Sequence, residues 1–149
     1  MIARDREYAQ LRDELKGKSV VIWTCNTCAR LCNGLGGDDA AERMASSLER
    51  DGITVEGILS TSASCLKGKV RQKEDKKILD KADIILTMTC DIGSMCAGDV
   101  FSMEAINPFV TLGTGYVDEG RRLFVMVEGV PKELSEVATM KGLSIEPYV

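Results

Sequence analysis

Apolar and polar positions change period several times along the chain, and each change marks an element. Tyr8, Leu11 and Leu15 recur at i, i+3 and i+7 with charges between them, which predicts an amphipathic helix over residues 2–16 ended by Gly17. SVVIWTC (19–25) is a continuous apolar run, the pattern of a strand buried on both faces. From Asp38, the stripe Ala40, Met44 and Leu48, widened by Ala41 and Ala45, predicts a helix opened by an acidic N-cap pair and closed by Gly52. ITVEGILS (53–60) and DIILTMTC (83–90) predict two more strands, separated by the loop TSASCLKGK and the polar helix KEDKKILDKA. A short helix is expected within DIGSMCAGDVFSMEAI, and strands at PFVTLG (108–113) and RLFVMVEG (122–129). A last helix is expected from Pro131 and Lys132 through Met140, capped by Gly142, before LSIEPYV.

Strands alternating with helices predict an α/β fold with a Rossmann-like or flavodoxin-like parallel sheet. The 149 residues, 44% of them hydrophobic, suit one core and hence one domain over 1–149, with 1–17 as an N-terminal amphipathic helix. Neither a repeat nor a low-complexity linker interrupts it.

Charge narrows the partners. A net charge of −4 and a pI near 5.0 give no general attraction for nucleic acid or an anionic membrane. The first residues, MIARDREYAQLRDELKGKS, are charged throughout, and no apolar run approaches transmembrane length, so a cytoplasmic protein without membrane insertion or a nucleic-acid partner is expected. The segment 66–81 holds seven basic residues against three acidic ones. It reads as a solvated helix face, or as a docking site for an acidic redox partner or anionic cofactor; it has no aromatic residue for base stacking.

Six cysteines and no histidine turn attention to sulfur chemistry. Cytosolic thiols stay reduced, so three structural disulfides are not expected, and every mixed Cys/His zinc site is excluded. Cys25, Cys28 and Cys32 follow the first apolar strand as C-x2-C-x3-C, Cys65 follows the second, and Cys90 and Cys96 follow the third. In a parallel sheet those loops share one rim, where such folds bind ligands. Clustered plus remote cysteines match the supply of an iron–sulfur cluster, of four irons first and two irons second. Zinc is the alternative, although only one C-x2-C knuckle is present, and redox-active or merely buried thiols are the third reading.

Three neighbouring features have plainer readings. GLGGDD does not match G-x-G-x-x-G, and Asp38 and Asp39 stand where a pyrophosphate would need open N–H groups. Its glycines read as loop geometry. Trp23 reads as core rather than as a flavin platform, and TLGTGY (111–116) either lines the site or makes a turn.

With the cysteines placed, the chain resembles the C-terminal iron–sulfur domain, or separate small subunit, of acetogen-type methylenetetrahydrofolate reductase. The resemblance covers about residues 18–123 and rests on ordered features: TCNTCARLCNGLGG, the helix with Met44 and Leu48, Cys65 before a basic helix, ADIILTMTCDIG with Cys90, and NPFVTLGTGYVDEG. It implies Cys25, Cys28, Cys32, Cys65 and Cys90 as cluster-ligand candidates. It also implies a non-catalytic subunit beside a flavoprotein reductase, in a hetero-oligomer of one-carbon metabolism. Members of that family commonly carry a second cysteine cluster near the C-terminus, whereas this chain has no cysteine after Cys96. Cys96 itself fits a second resemblance, to the small iron–sulfur subunit of methyl-viologen-reducing hydrogenases, carried by CNTC, SCLKGKV and CDIGSMC. That resemblance implies electron transfer between a hydrogenase and a disulfide reductase.

Overall fold

The computed structural model describes residues 1–141. In chain order it contains β1 (Ile2–Asp5), α1 (Tyr8–Leu15), β2 (Ser19–Cys25), α2 (Cys28–Leu31), α3 (Asp38–Arg50), β3 (Thr54–Thr61), α4 (Lys67–Arg71), α5 (Lys76–Leu79), β4 (Ile84–Met88), α6 (Asp91–Phe101), β5 (Ala105–Ile106), β6 (Phe109–Gly113), β7 (Gly115–Val117), β8 (Leu123–Val127), β9 (Val130–Glu133) and α7 (Leu134–Lys141).

The centre is a parallel four-stranded sheet in the order β3-β2-β4-β5, so the fold is mixed α/β. β2 lies between two partners, with Ile22 opposite Ile58 on one side and Leu86 on the other. Period-2 alternation divides its side chains between two cores. Val20 and Ile22 join Leu11, Leu15, Ala41 and Leu48 on one face; Val21 and Trp23 join Val70, Leu79, Ala97 and Val100 on the other. Helices α1 and α3 cover the first face, and α4, α5 and α6 the second. The chain leaves β2 for β3 on one side and returns past β2 to β4, so the connections part between the C-terminal ends of β2 and β4. Ligands of open α/β sheets enter at such a switch point. Here the chain's own loop fills part of that crevice, because a Cβ on Gly36 would stand 2.9 Å from Met88 O and 3.2 Å from Cys25 O.

Several sequence expectations are corrected. The helix expected over 2–16 begins only at Tyr8, since Ile2 and Ala3 are buried in β1, which pairs antiparallel with β6. The polar helix expected after Cys65 is two short ones, α4 and α5. Gly37, not the acidic pair, caps α3: its φ is +94°, and Asp38 and Asp39 fill the first turn, where the helix dipole favours them.

Beyond β5 the chain departs from the parallel pattern. β6 leaves the central sheet for β1, and β7-β8-β9 form an antiparallel sheet of their own. The strand expected at 122–129 stops at Val127 because Glu128 and Gly129, with φ of +51° and +80°, make a two-residue hairpin turn. Pro131, expected to open a helix, sits in β9 instead, an edge strand where a missing N–H is tolerated. The helix starts at Leu134; Gly142 and LSIEPYV lie outside the described residues.

Gly36→Ala should lower stability by about 1–3 kcal/mol, since the new methyl meets Ala29 Cβ at 2.5 Å as well as two carbonyl oxygens. Gly34→Ala meets nothing within 4 Å and loses only the ease of its φ of +70°, a cost of about 1–2 kcal/mol. Urea midpoints of the two variants compare a packing cost with a purely conformational one.

A candidate thiol centre

Four of the six cysteines lie at or soon after the C-terminal ends of parallel strands, and a fifth lies further on, inside the helix that follows β4. Cys25 is the last residue of β2, Cys28 opens α2, Cys65 lies in the loop after β3, Cys90 is the N-cap of α6 after β4, and Cys96 is within α6. Cys28 and Cys65 are exposed, Cys90 is half-buried, and Cys25 and Cys96 are buried. All six thiols are free.

The loop after β3 is the hub. Ser62 O accepts from Cys25 Sγ (3.8 Å) and from Thr27 Oγ1, while Ser62 Oγ accepts from Lys69 Nζ (3.2 Å). Two residues on, the buried Ser64 accepts from Trp23 Nε1 (2.7 Å) and donates to Gly93 O (2.8 Å). One hydroxyl therefore ties the sheet interior, the loop carrying Cys65 and the first turn after Cys90. Gly93 is glycine by necessity: a Cβ there would be 2.8 Å from Thr89 Oγ1 and 2.9 Å from Ser64 Cβ. Its N–H donates to Cys90 Sγ at 3.4 Å. These serines were not singled out from sequence, where small polar residues before a cysteine read simply as loop.

Electrostatics connects four of the thiols. Burial pushes the Cys90 pKa up; the Gly93 N–H opposes this, and charge on Cys28, Cys25 and Cys65 raises it further. Cys25, Cys28 and Cys65 thus act on Cys90 although they stand at or after the ends of other strands. Cys96 is adjacent, its Sγ donating to Cys65 O at 3.8 Å.

Cys32 stands apart. As α2 is a single turn, the chain leaves helical geometry at Cys32 (φ −81°, ψ 79°) and passes through Asn33 at φ +50°. That turn sends Cys32 under β1, where its Sγ accepts from Ala3 N (3.4 Å) and donates to Ala3 O (3.7 Å). It packs with Ile2, Leu123, Val125, Leu134 and Val137. Burial raises its pKa, and the Ala3 N–H only partly offsets this.

All four electrostatically linked donors are sulfur, the soft type that suits iron–sulfur clusters and zinc. Among the described residues no three Cys, His, Asp or Glu side chains are drawn together closely enough to hold one metal ion. The glycine loop borders a separate polar cavity of about 470 Å³ beside Arg30, Arg43 and the first turn of α3. Asp38 N there already donates to Asn26 Oδ1 (3.1 Å), and the Asn26 amide reaches both Asp38 carboxylate oxygens (3.2 Å). Trp23 is fully buried in the core. Among the described residues no helix is long and apolar enough to cross a membrane. Comparison with known families, curated proteins and solved structures finds no match to this chain.

Ser64→Ala should cost about 1–3 kcal/mol in urea unfolding, because it leaves the buried Trp23 N–H without its acceptor and frees Gly93 O. Cys65 and Cys90 should then alkylate faster. Separately, Cys32 and Cys90 have pKa values raised above the usual 9.0, so the fold holds protons there that the unfolded chain has begun to release. Stability of the metal-free protein should be full below pH 9.0 and fall as pH rises from there through the folded pKa values. Cys32→Ala should flatten that slope in urea titrations at a series of pH values.

Proposed function

We propose that this protein is an iron–sulfur subunit that assists a flavoprotein reductase of the methylenetetrahydrofolate reductase type and has no active site of its own. Cys25, Cys28, Cys65 and Cys90 would hold the cluster, four-iron in preference to two-iron. The observation that carries this reading is the placement of Cys25, Cys28, Cys65 and Cys90 at or just after the C-terminal ends of three neighbouring parallel strands. Three cysteines in one loop with remote ones to complete the shell suit a cluster better than zinc, whose structural sites more often pair two C-x2-C knuckles. When bound, the group would supply one-electron chemistry. The protein's own contribution is to fix the four sulfurs, through Ser62, Ser64 and Gly93, and to supply the Gly93 N–H to one of them.

The strand order β3-β2-β4-β5 supports the flavodoxin-like form of the fold over the Rossmann-like one, because it follows the 2-1-3-4 sequence of a flavodoxin-type sheet. The contact of Cys96 with the Cys65 loop favours a second reading, an electron-transfer subunit of a hydrogenase or heterodisulfide reductase-type complex. Under either reading the protein works in a hetero-oligomer in the cytoplasm.

Anaerobic purification with iron, sulfide and zinc analysis and electron paramagnetic resonance tests the cluster. Cys28→Ala and Cys65→Ala should each lose most of the iron, whereas Cys32→Ala, whose sulfur is committed to β1, should keep it. Zinc without iron or sulfide would sink both readings. Co-purification of a folate-reducing flavoprotein, rather than a hydrogenase subunit, chooses between them.

A further inference from the structure

Apart from Val130 and Met126 on the β8-β9 hairpin and Tyr116 on β7, the exposed large apolar side chains of the described residues are Leu31, 74% exposed, Ile92 and Met95, 61% each, and Leu66, 52%. Every one of these follows a thiol of the candidate centre: Leu31 three residues after Cys28, Leu66 directly after Cys65, Ile92 and Met95 two and five after Cys90. Leu31 and Cys28 share a face of α2 by their i, i+3 spacing, as Ile92 and Met95 share the outward face of α6. The inward face of α6, with Gly93, Ser94, Cys96, Ala97 and Val100, is buried. A groove of about 260 Å³ extends the apolar surface from Cys28 and Leu31 to Tyr116 on β7. Large aliphatic side chains held in water around exposed sulfurs mark a surface that another protein covers.

Charge identifies that protein's chemistry. Although the chain is −4 overall, its basic segment begins at Leu66, and α4 carries Lys67, Lys69 and Arg71 with no acid. α4 packs on α6, the helix that carries Ile92 and Met95. Among the described residues the one ion pair of α4 is Lys67 with Asp99 of α6 at 2.8 Å; Lys69 reaches Ser62 at the base of the Cys65 loop. We infer that this collar is the docking face for an electron-carrier protein whose own apolar patch is fringed by carboxylates on the side that meets α4. The inference rests on the cluster reading for what the contact achieves, while the contact itself requires only the collar and the lysines. Apolar contact would exclude water over the sulfurs, and the charged margin would orient the encounter.

Zero-length carbodiimide cross-linking of the anaerobically purified protein tests this, with a small acidic flavodoxin as probe and a basic cytochrome c as control. Lys67 and Lys69 should link to flavodoxin carboxylates, with the yield falling as ionic strength rises. Leu66→Glu and Met95→Glu, both at exposed positions that leave the core intact, should lower the yield about tenfold, the effect of losing one central apolar contact. Links spread evenly to Lys16, Lys18, Lys76 and Lys81, equal coupling to cytochrome c, or unchanged yields in the two variants would overturn the proposal. So would links between copies of the chain through Lys67 without probe, which would give the face to a second copy. Iron and sulfide are measured on the same samples. A loaded protein that fails to link overturns the docking face alone, and an iron-free protein that links at α4 supports the face while removing the cluster.

Discussion

Burial of β2 on both faces is the constraint on which the rest of the molecule depends. Its five residues Val20 to Thr24 have strand neighbours on either side, and its apolar side chains alternate between two cores. Such a strand is apolar except where a buried hydroxyl finds a partner, as Thr24 does, and it fixes which helices cover which face. It also fixes where the chain emerges: Cys25 ends the strand, and Asn26 N is anchored to Thr61 O at the end of β3. The thiol-bearing loops start from these strand ends, which is why cysteines far apart in sequence come to one end of the sheet.

The same order explains the division of labour at the thiol-rich end of the sheet. The Gly34–Gly37 turn is occupied with packing: Thr24 Oγ1 accepts from Gly37 N at 2.8 Å, and Gly36 lies against the ends of β2 and β4. The crevice that other α/β proteins give to a nucleotide is here partly filled by backbone. What remains free is the neighbouring ground between the β3 loop and the start of α6, where Cys65 and Cys90 lie. Small side chains make that ground possible, with serine at 62 and 64 and glycine at 93.

Much of this was legible because it follows from periodicity. SVVIWTC, ITVEGILS and DIILTMTC are strands, and the Ala40, Met44, Leu48 stripe is a helix, because each pattern buries its apolar side in only one way. The failures come where tertiary partners outweigh local pattern. Ile2 and Ala3 form a strand only because β6, more than a hundred residues away, lies beside them, and Pro131 is as acceptable on a sheet edge as at a helix start. The surroundings of Cys32 were not legible in the same way: α2 ends after one turn, and loop curvature of that kind leaves no period from which its contact with β1 could be read.

The chain has one tryptophan, and the fold has placed it directly beneath the thiol loops. The indole of Trp23 packs edge-on against Phe101 at 5.2 Å between centroids and hydrogen-bonds Ser64, the serine that joins the segments carrying Cys65 and Cys90. Its emission is therefore a native optical label: no dye or engineered probe is needed to follow, in real time, the occupation or loss of whatever those loops enclose.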